Sequence, residues 1–321
     1  MSPQHGPRHD PLPVLGPDPS APSAAHAPAA APAAPAPGPI LGLLPAYADE
    51  QRTAIAAARA AGRLLRRRLG GTRGAGGSRG FEVHAKGDRG DVVTDLDLAA
   101  EELIVARLQA RYPADRIVSE EAGVLDHAGT DSRRTWLVDP LDGTNNIAIG
   151  LPVWSVGIAL CVADDPVVGV VHDPVVGRTW SARRGAGAQG PDGPLTGPPP
   201  RPSDRLLLAW TQGYAVSRGE PRASALKSAL ELRARRVLQL WAPLSAWALL
   251  ASGDIDGFVG YRSEYVDLPA GLLLAREAGV DVRAFDGSAF GERLGPGADL
   301  SFVAGRREVV DELLQLVAVS Q

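Results

Sequence analysis

The segment Trp136-Leu137-Val138-Asp139-Pro140-Leu141-Asp142-Gly143-Thr144-Asn145-Asn146 decides how the rest of the chain is read. Its three leading apolar residues predict a short strand, and Asp139 and Asp142 come directly after it. Side chains at strand ends project from a fixed scaffold into a cleft. Pro140 stiffens the backbone between the two acids, and Gly143 permits close backbone approach or an unusual φ. Thr144-Asn145-Asn146 can then open a helix whose N–H groups face a bound phosphate. Upstream, Ile117-Val118-Ser119 predicts another short strand, followed at once by Glu120 and Glu121. Acids that share one cleft must either stay partly protonated or bind hard cations. Oxygen ligands without a His or Cys cluster point to Mg²⁺ or Mn²⁺ rather than zinc. Mg²⁺ held by few carboxylates keeps open positions for phosphate oxygens, which points to phosphoryl chemistry.

On either side of this segment, elements follow from periodicity. Residues 47–69 predict a helix with Ile55, Leu64, Leu65 and Leu69 as its apolar stripe, stopped at Gly70-Gly71. The Asp and Thr residues of Asp91-Val-Val-Thr-Asp-Leu-Asp97 suit a helix start, with Glu101 in the first turns and Tyr112 at the end. Strands are expected over 153–163, 167–173 and 178–183, as an antiparallel meander. Beyond them, strands at 205–210, 236–240, 256–260 and 301–304 alternate with helices at 221–234, 243–252, 268–279 and 306–317. That alternation predicts α/β layers. The expected organisation is a tail (1–39), an α+β metal-binding half (40–185), a Gly/Pro-rich connection (186–204) and an α/β half that completes the site (205–321).

The tail is predicted disordered, because Met1 to Pro39 hold 12 of the 28 prolines and almost no large apolar side chain. It also lacks the apolar core of a secretion signal. The whole chain has 321 residues, 45% hydrophobic and 22% charged, with a net charge of -4. No global cationic field collects nucleic acid or anionic membrane, and no apolar window approaches the length of a membrane span. A cytoplasmic protein without nucleic-acid or membrane partners is the expectation. Six arginines between Arg63 and Arg79 read as a solvated helix end, with a mobile basic loop that meets an anionic substrate as the alternative. The single cysteine, Cys161, excludes an internal disulfide and is expected in the core. The six histidines are scattered, so a Ser/His/Asp triad finds no support, and His172 is expected to be a strand residue.

Asp139 to Asn146 resembles the signature of inositol monophosphatase-type enzymes, and three further motifs stand in the matching order. Lys86 with Asp91-Val-Val-Thr-Asp-Leu-Asp97 and Glu101 is similar to one of them. Ser119-Glu120-Glu121 is similar to the paired glutamates, and Asp267-Leu-Pro-Ala-Gly271 with Arg276-Glu277-Ala278-Gly279 to the late aspartate and its helix. The likeness runs from about residue 47 to 317. It implies a layered α-β-α-β-α sandwich of the inositol monophosphatase and fructose-1,6-bisphosphatase type, a homodimer and lithium sensitivity. It also implies two or three Mg²⁺ ions. Glu120, Asp139 and the Leu141 carbonyl would hold the first, and Asp139, Asp142 and Asp267 the second. Glu121 and Asp97 would shape a third, weaker site. Thr144 paired with Asp97 would position and deprotonate the attacking water, so Asp97, Thr144 and Glu120 are the catalytic candidates. The Gly143 and Thr144 N–H groups would bind phosphate, with Lys86, Asn145 and Trp241 as further substrate contacts.

Departures from the resemblance fall on the leaving-group side. Val266 stands where Trp is usual, Gly260 where inositol phosphatases carry a hydroxyl-reading Glu, and Trp241-Ala242-Pro243 where a Gly-Ser/Thr-Ala segment is usual. Trp241 and Trp247 are read as core packing, with a flat apolar wall for the substrate as the alternative. A lost hydroxyl acceptor changes discrimination between polyols. The expectation is therefore an Mg-dependent phosphomonoesterase acting on an inositol-, cyclitol- or sugar-phosphate-like polyol. Histidinol phosphate or a 3′-phosphonucleotide is the alternative substrate. A phospho-ligand-binding regulatory protein is the alternative of another class.

Overall fold

The computed structural model describes residues 46–70, 81–86, 91–126, 133–217, 219–291 and 298–320. The expected tail (1–39) and the basic loop with Arg73 and Arg79 lie outside them. The first half runs α1 (Ala48–Gly70), β1 (Val83–Ala85), β2 (Val92–Thr94), α2 (Asp95–Arg111), β3 (Arg116–Ser119), β4 (Gly123–Leu125), β5 (Arg134–Asp142), α3 (Thr144–Ile149), β6 (Ser155–Val162), β7 (Asp165–Asp173), β8 (Arg178–Arg183), β9 (Ala188–Gly190) and β10 (Gly193–Pro194). The second runs β11 (Leu207–Gln212), α4 (Pro221–Arg233), β12 (Arg236–Leu238), α5 (Pro243–Ser252), β13 (Gly257–Tyr261), α6 (Leu268–Glu277), β14 (Asp281–Ala284), β15 (Phe302–Gly305) and α7 (Arg307–Val319).

An eight-stranded sheet has the order β10-β9-β8-β7-β6-β5-β3-β4, and a five-stranded sheet the order β12-β11-β13-β15-β14. Helices α1 and α2 cover one face of the large sheet, and α5 and α6 lie between the two sheets. Helices α4 and α7 close the outer face of the small sheet. The result is the expected α-β-α-β-α stack, and each of its four interfaces carries its own apolar cluster. Strands covered on both faces read as continuous apolar runs. In β5, Trp136 and Val138 face α1 and α2, whereas Leu137 faces α5 and α6. Cys161 is buried on the α5/α6 side of β6, as expected. Asp115 pins the start of β5, accepting from Trp136 Nε1 at 2.9 Å and from Arg134 Nε at 2.9 Å.

Three features differ from the sequence reading. The segment 186–204, expected to be only a connection, carries β9 and β10, which extend the large sheet edge by antiparallel pairing. The β1/β2 hairpin and β14 had no periodic signal, being short and, in β1, exposed on every residue. Most consequentially, β5 does not stop before the acids but runs through Asp142.

Candidate active site

The end of β5 explains how two acids three residues apart serve one site. Strand side chains alternate between faces, so positions 139 and 142 would point to opposite sides of a regular strand. Here Asp139 pairs with Gly157 but Asp142 pairs with Ser155, so β5 holds one residue more than β6 over this stretch. That is a β-bulge, which re-aims side chains and bends the strand. Pro140, which has no N–H to give the ladder, sits inside it. Leu141 N donates to Asp139 Oδ1 at 3.0 Å and fixes the carboxylate. Ser155 Oγ and Leu244 N donate to Asp142 Oδ2 at 3.0 and 2.9 Å, tying the second acid to β6 and α5.

The remaining acids arrive from other elements. Glu120 follows β3, its N–H donating to the Val138 carbonyl at 3.1 Å. Asp267 is the N-cap residue of α6, after β13. Glu120, Asp139, Asp142 and Asp267 line one cavity of about 440 Å³, together with Gly143 and Thr144. Burial first, then the mutual repulsion of these four groups, holds the Asp139 and Asp267 carboxyls far above the usual carboxylate range. Burial also pushes Asp142 up to about 8. Asp139 therefore sits between Glu120 and Asp267, and their repulsion is relieved by protonation or by a cation.

Not every expected site residue lies on this wall. Lys86 Nζ donates to Glu120 Oε1 at 3.1 Å and to Glu121 Oε1 at 3.0 Å. Its ammonium is thus the charge partner of the glutamates and lies outside the cavity lining, where a substrate contact was expected. Glu121 also lies off the lining, its N–H bonded to Glu101 Oε2 at 3.1 Å. Asp97 is buried behind Thr144, whose Oγ1 lies 2.7 Å from Asp97 Oδ1 and 2.8 Å from the Leu141 carbonyl oxygen. One hydroxyl proton cannot serve both acceptors. Burial raises Asp97 to about 6, which allows its carboxyl to supply the second proton when protonated. Asp97 is also the third residue of a capping box with Thr94. Asn145 Nδ2 donates to Tyr214 Oη at 3.0 Å, and Trp241 lines the cavity, as do Asn145 and Tyr214.

Among the described residues no three acids or imidazoles already surround a single point as a finished cage. The donor set still fits a hard divalent cation: four carboxylates and the Leu141 residue line one cavity, no thiolate is among them, and Lys86 at Glu120 is the one ammonium bonded to these acids among the described residues.

The profile of the inositol monophosphatase family matches residues 48–318. The chain belongs to the inositol monophosphatase family. It is 33% identical to the Nus factor SuhB of Salmonella typhimurium strain LT2 over 233 residues, covering 73% of this chain and 84% of that one. It is 34% identical to the Nus factor SuhB of Escherichia coli K12, covering 64% of this chain and 76% of that one. Among solved structures, the extragenic suppressor protein suhB of Bartonella henselae superposes with a TM-score of 0.75 at 26% identity, covering 84% of this chain and 98% of that one. The Thermotoga maritima IMPase superposes with a TM-score of 0.71 at 26% identity, covering 85% and 98%.

In this inositol monophosphatase family member, the sequence reading missed several residues around the acids. Tyr214, Gln212 and Glu264 line the cavity from loops and strand ends of the small sheet. Tyr214 N donates to Glu264 Oε1 at 2.9 Å, which ties two of these loops together. Buried Glu101 was read as an early helix residue and a member of the helical motif, without a role of its own. It gathers Ser119 Oγ and the Glu121 and Ala122 N–H groups, and so shapes the turn that carries Glu120. Its place beside Asp97 in the helical motif was the available signal.

The raised carboxyls make a stability prediction with a definite sign. A carboxyl whose folded pKa exceeds its unfolded value contributes stability below the unfolded pKa, near 3.8, and loses it as pH rises through the folded one, about 8 for Asp142. Thermal unfolding in EDTA should therefore show the melting temperature falling steadily from pH 5 to pH 8. Millimolar Mg²⁺ should remove most of that fall. A profile that is flat in EDTA, or indifferent to Mg²⁺, would contradict the clustering of these acids.

Proposed function

We propose that the protein is a magnesium-dependent phosphomonoesterase that hydrolyses a small phosphorylated alcohol by in-line attack of water. The observation that carries this reading is the convergence of Glu120, Asp139, Asp142 and Asp267 on one cavity beside the Thr144–Asp97 pair. Glu120, Asp139, Asp142, Asp267 and the Leu141 carbonyl would hold Mg²⁺, which when bound lowers the pKa of water and neutralises charge on phosphate oxygens. The chain's own groups do the rest. Thr144 Oγ1 orients the attacking water and passes its proton to Asp97 Oδ1, 2.7 Å away. Asp97, at about 6, is largely ionised at neutral pH and accepts that proton. The Gly143 and Thr144 N–H groups face the phosphate. Lys86 keeps Glu120 and Glu121 oriented while charge is redistributed. A homodimer in the cytoplasm and inhibition by lithium belong to the same proposal.

A second reading is favoured by the relatives named Nus factors, a name that is not an enzyme's. On it, the same cavity binds a phosphorylated ligand and turnover is negligible. Phosphate release from a panel of small phosphomonoesters, in Mg²⁺ and then in EDTA, separates the two. We expect Mg-dependent release from at least one member. Absence of release from all, with saturable binding of one, would establish the regulatory reading instead.

A further inference from the structure

Beside the carboxylates and the polar side chains of Gln212, Gln239 and Glu264, the cavity carries an aromatic group. Trp210, Tyr214, Trp241, Trp247 and Phe302 all line it, with Ile149 at its edge. Three of these remain open to solvent although they are large and apolar: Ile149 is 61% exposed, Trp241 53% and Tyr214 41%. Isolated exposed apolar side chains are ordinary, but three around the mouth of one cavity mark a binding surface.

Trp241 is also held there at a conformational cost. Its φ is 54°, in the left-handed region that a bulky residue avoids. Such an outlier persists only where its surroundings over-determine it, and points to function. The surroundings are visible. Buried Asn146 donates from Nδ2 to the Leu240 and Val153 carbonyls, both at 2.7 Å. On the other side of Trp241, Leu244 N is bonded to Asp142 Oδ2 at 2.9 Å, and Pro243 starts α5. The backbone on both sides of Trp241 is thereby tied to the strand end and helix that carry Asp142 and Thr144. A side chain needed only for packing would be covered; this one is fixed in place and left half bare.

The deep end of the cavity reads the same way. Phe302 stacks on Trp247 with centroids 4.8 Å apart, and a Cβ at Gly260 would lie 2.2 Å from the Phe302 ring. The floor is therefore hydrocarbon, and position 260 has no room for a side chain that reads hydroxyls.

We propose that the natural leaving group is an alcohol carrying a planar aromatic ring, which lies against the half-exposed Trp241 indole at the cavity. This rests on the phosphomonoesterase reading and narrows its substrate from a polyol to a flat ring. A saturated polyhydroxy ring is thicker and cannot stack on the indole.

The test uses three phosphomonoesters of similar size: 3-pyridylmethyl phosphate, cyclohexylmethyl phosphate and glycerol 2-phosphate. The planar ester should exceed both others in kcat/KM by about tenfold. Trp241→Phe should keep most of that preference, and Trp241→Leu should reduce it to within about twofold. Equal or better turnover of the cyclohexyl or glycerol ester would overturn the inference and leave the phosphatase reading standing. So would a preference that survives Trp241→Leu, since the indole would then be covering a partner subunit or packing only. If no ester is hydrolysed, the phosphatase reading fails by itself. Binding then decides the inference, through tryptophan fluorescence titrated with 3-pyridylmethylphosphonate and cyclohexylmethylphosphonate. Tighter binding of the planar phosphonate supports it, and equal binding refutes it.

Discussion

Asp139→Asn is expected to lower phosphate release on the order of a thousandfold while making the metal-free protein more stable. The two effects share one cause. Asp139 is buried, and Glu120, Asp267 and Asp142 all act on it, so the folded chain accommodates its charge poorly without a cation. Asn keeps the size and can still accept from Leu141 N, so the bulge of β5 should survive. It removes a negative charge from the group of acids, and its Nδ2 can donate toward the neighbouring carboxylates at every pH. Without a cation the substitution relieves repulsion. A gain of about 1 kcal/mol would appear as a melting temperature about 2–4 °C higher in EDTA at pH 8. With Mg²⁺ the order should reverse, because the wild type gains from binding what the variant cannot. Stability and activity then trade against each other at one atom group, as expected where a site is built for a ligand. Near-normal turnover would remove Asp139 from the proposed cation site. A variant less stable than the wild type in EDTA would show that the repulsion is not the dominant local cost.

Much of this arrangement was legible in the sequence, and the parts that were not share a physical reason. Local signals carried the helices: the apolar stripe of α1, the Thr94 and Asp97 cap of α2, and Pro243 and Pro269 in the first turns of α5 and α6. Asp139 and Asp142 were placed together for an incomplete reason. They were read as lying past a strand end, whereas a bulge inside the strand brings them to one side. A pattern of period two cannot announce an extra residue, because the insertion is defined by the partner strand. Pro140 in an otherwise central strand was the only local hint. Tyr214, Gln212 and Glu264 were missed because their role is created by the small sheet docking across the α5/α6 layer, a long-range event with no local signature. Lys86 shows the reverse. It was expected as a substrate contact, whereas the glutamates that hold it come from a turn shaped by Glu101, more than a helix away in sequence.

Gly143→Ala should be the most damaging small substitution near the site, and a paired control shows why. Gly143 has φ of 96° and Gly150 has φ of 84°, and the two bracket α3. An alanine at either place must adopt a left-handed backbone, which costs on the order of 1–2 kcal/mol. At Gly150 nothing lies within 4 Å of the added carbon, so the backbone cost is the whole cost. At Gly143 the same carbon would lie 2.8 Å from the Val153 carbonyl oxygen and 3.3 Å from Ala242 Cβ. The first is backbone and the second belongs to the loop locked by Asn146, so neither neighbour can turn away as a flexible side chain would. Relief requires moving the start of α3, and Thr144 moves with it, away from Asp97. Gly150→Ala should therefore lose about 1–2 kcal/mol in urea unfolding with its turnover close to the wild type. Gly143→Ala should lose more than that and also fall about a hundredfold or more in kcat, because a displacement of about 1 Å is enough to cost that factor. If the two variants behave alike, the close packing of Val153 and Ala242 against Gly143 does not position Thr144, and the coupling between the Trp241 loop and the phosphate end of the cavity is absent.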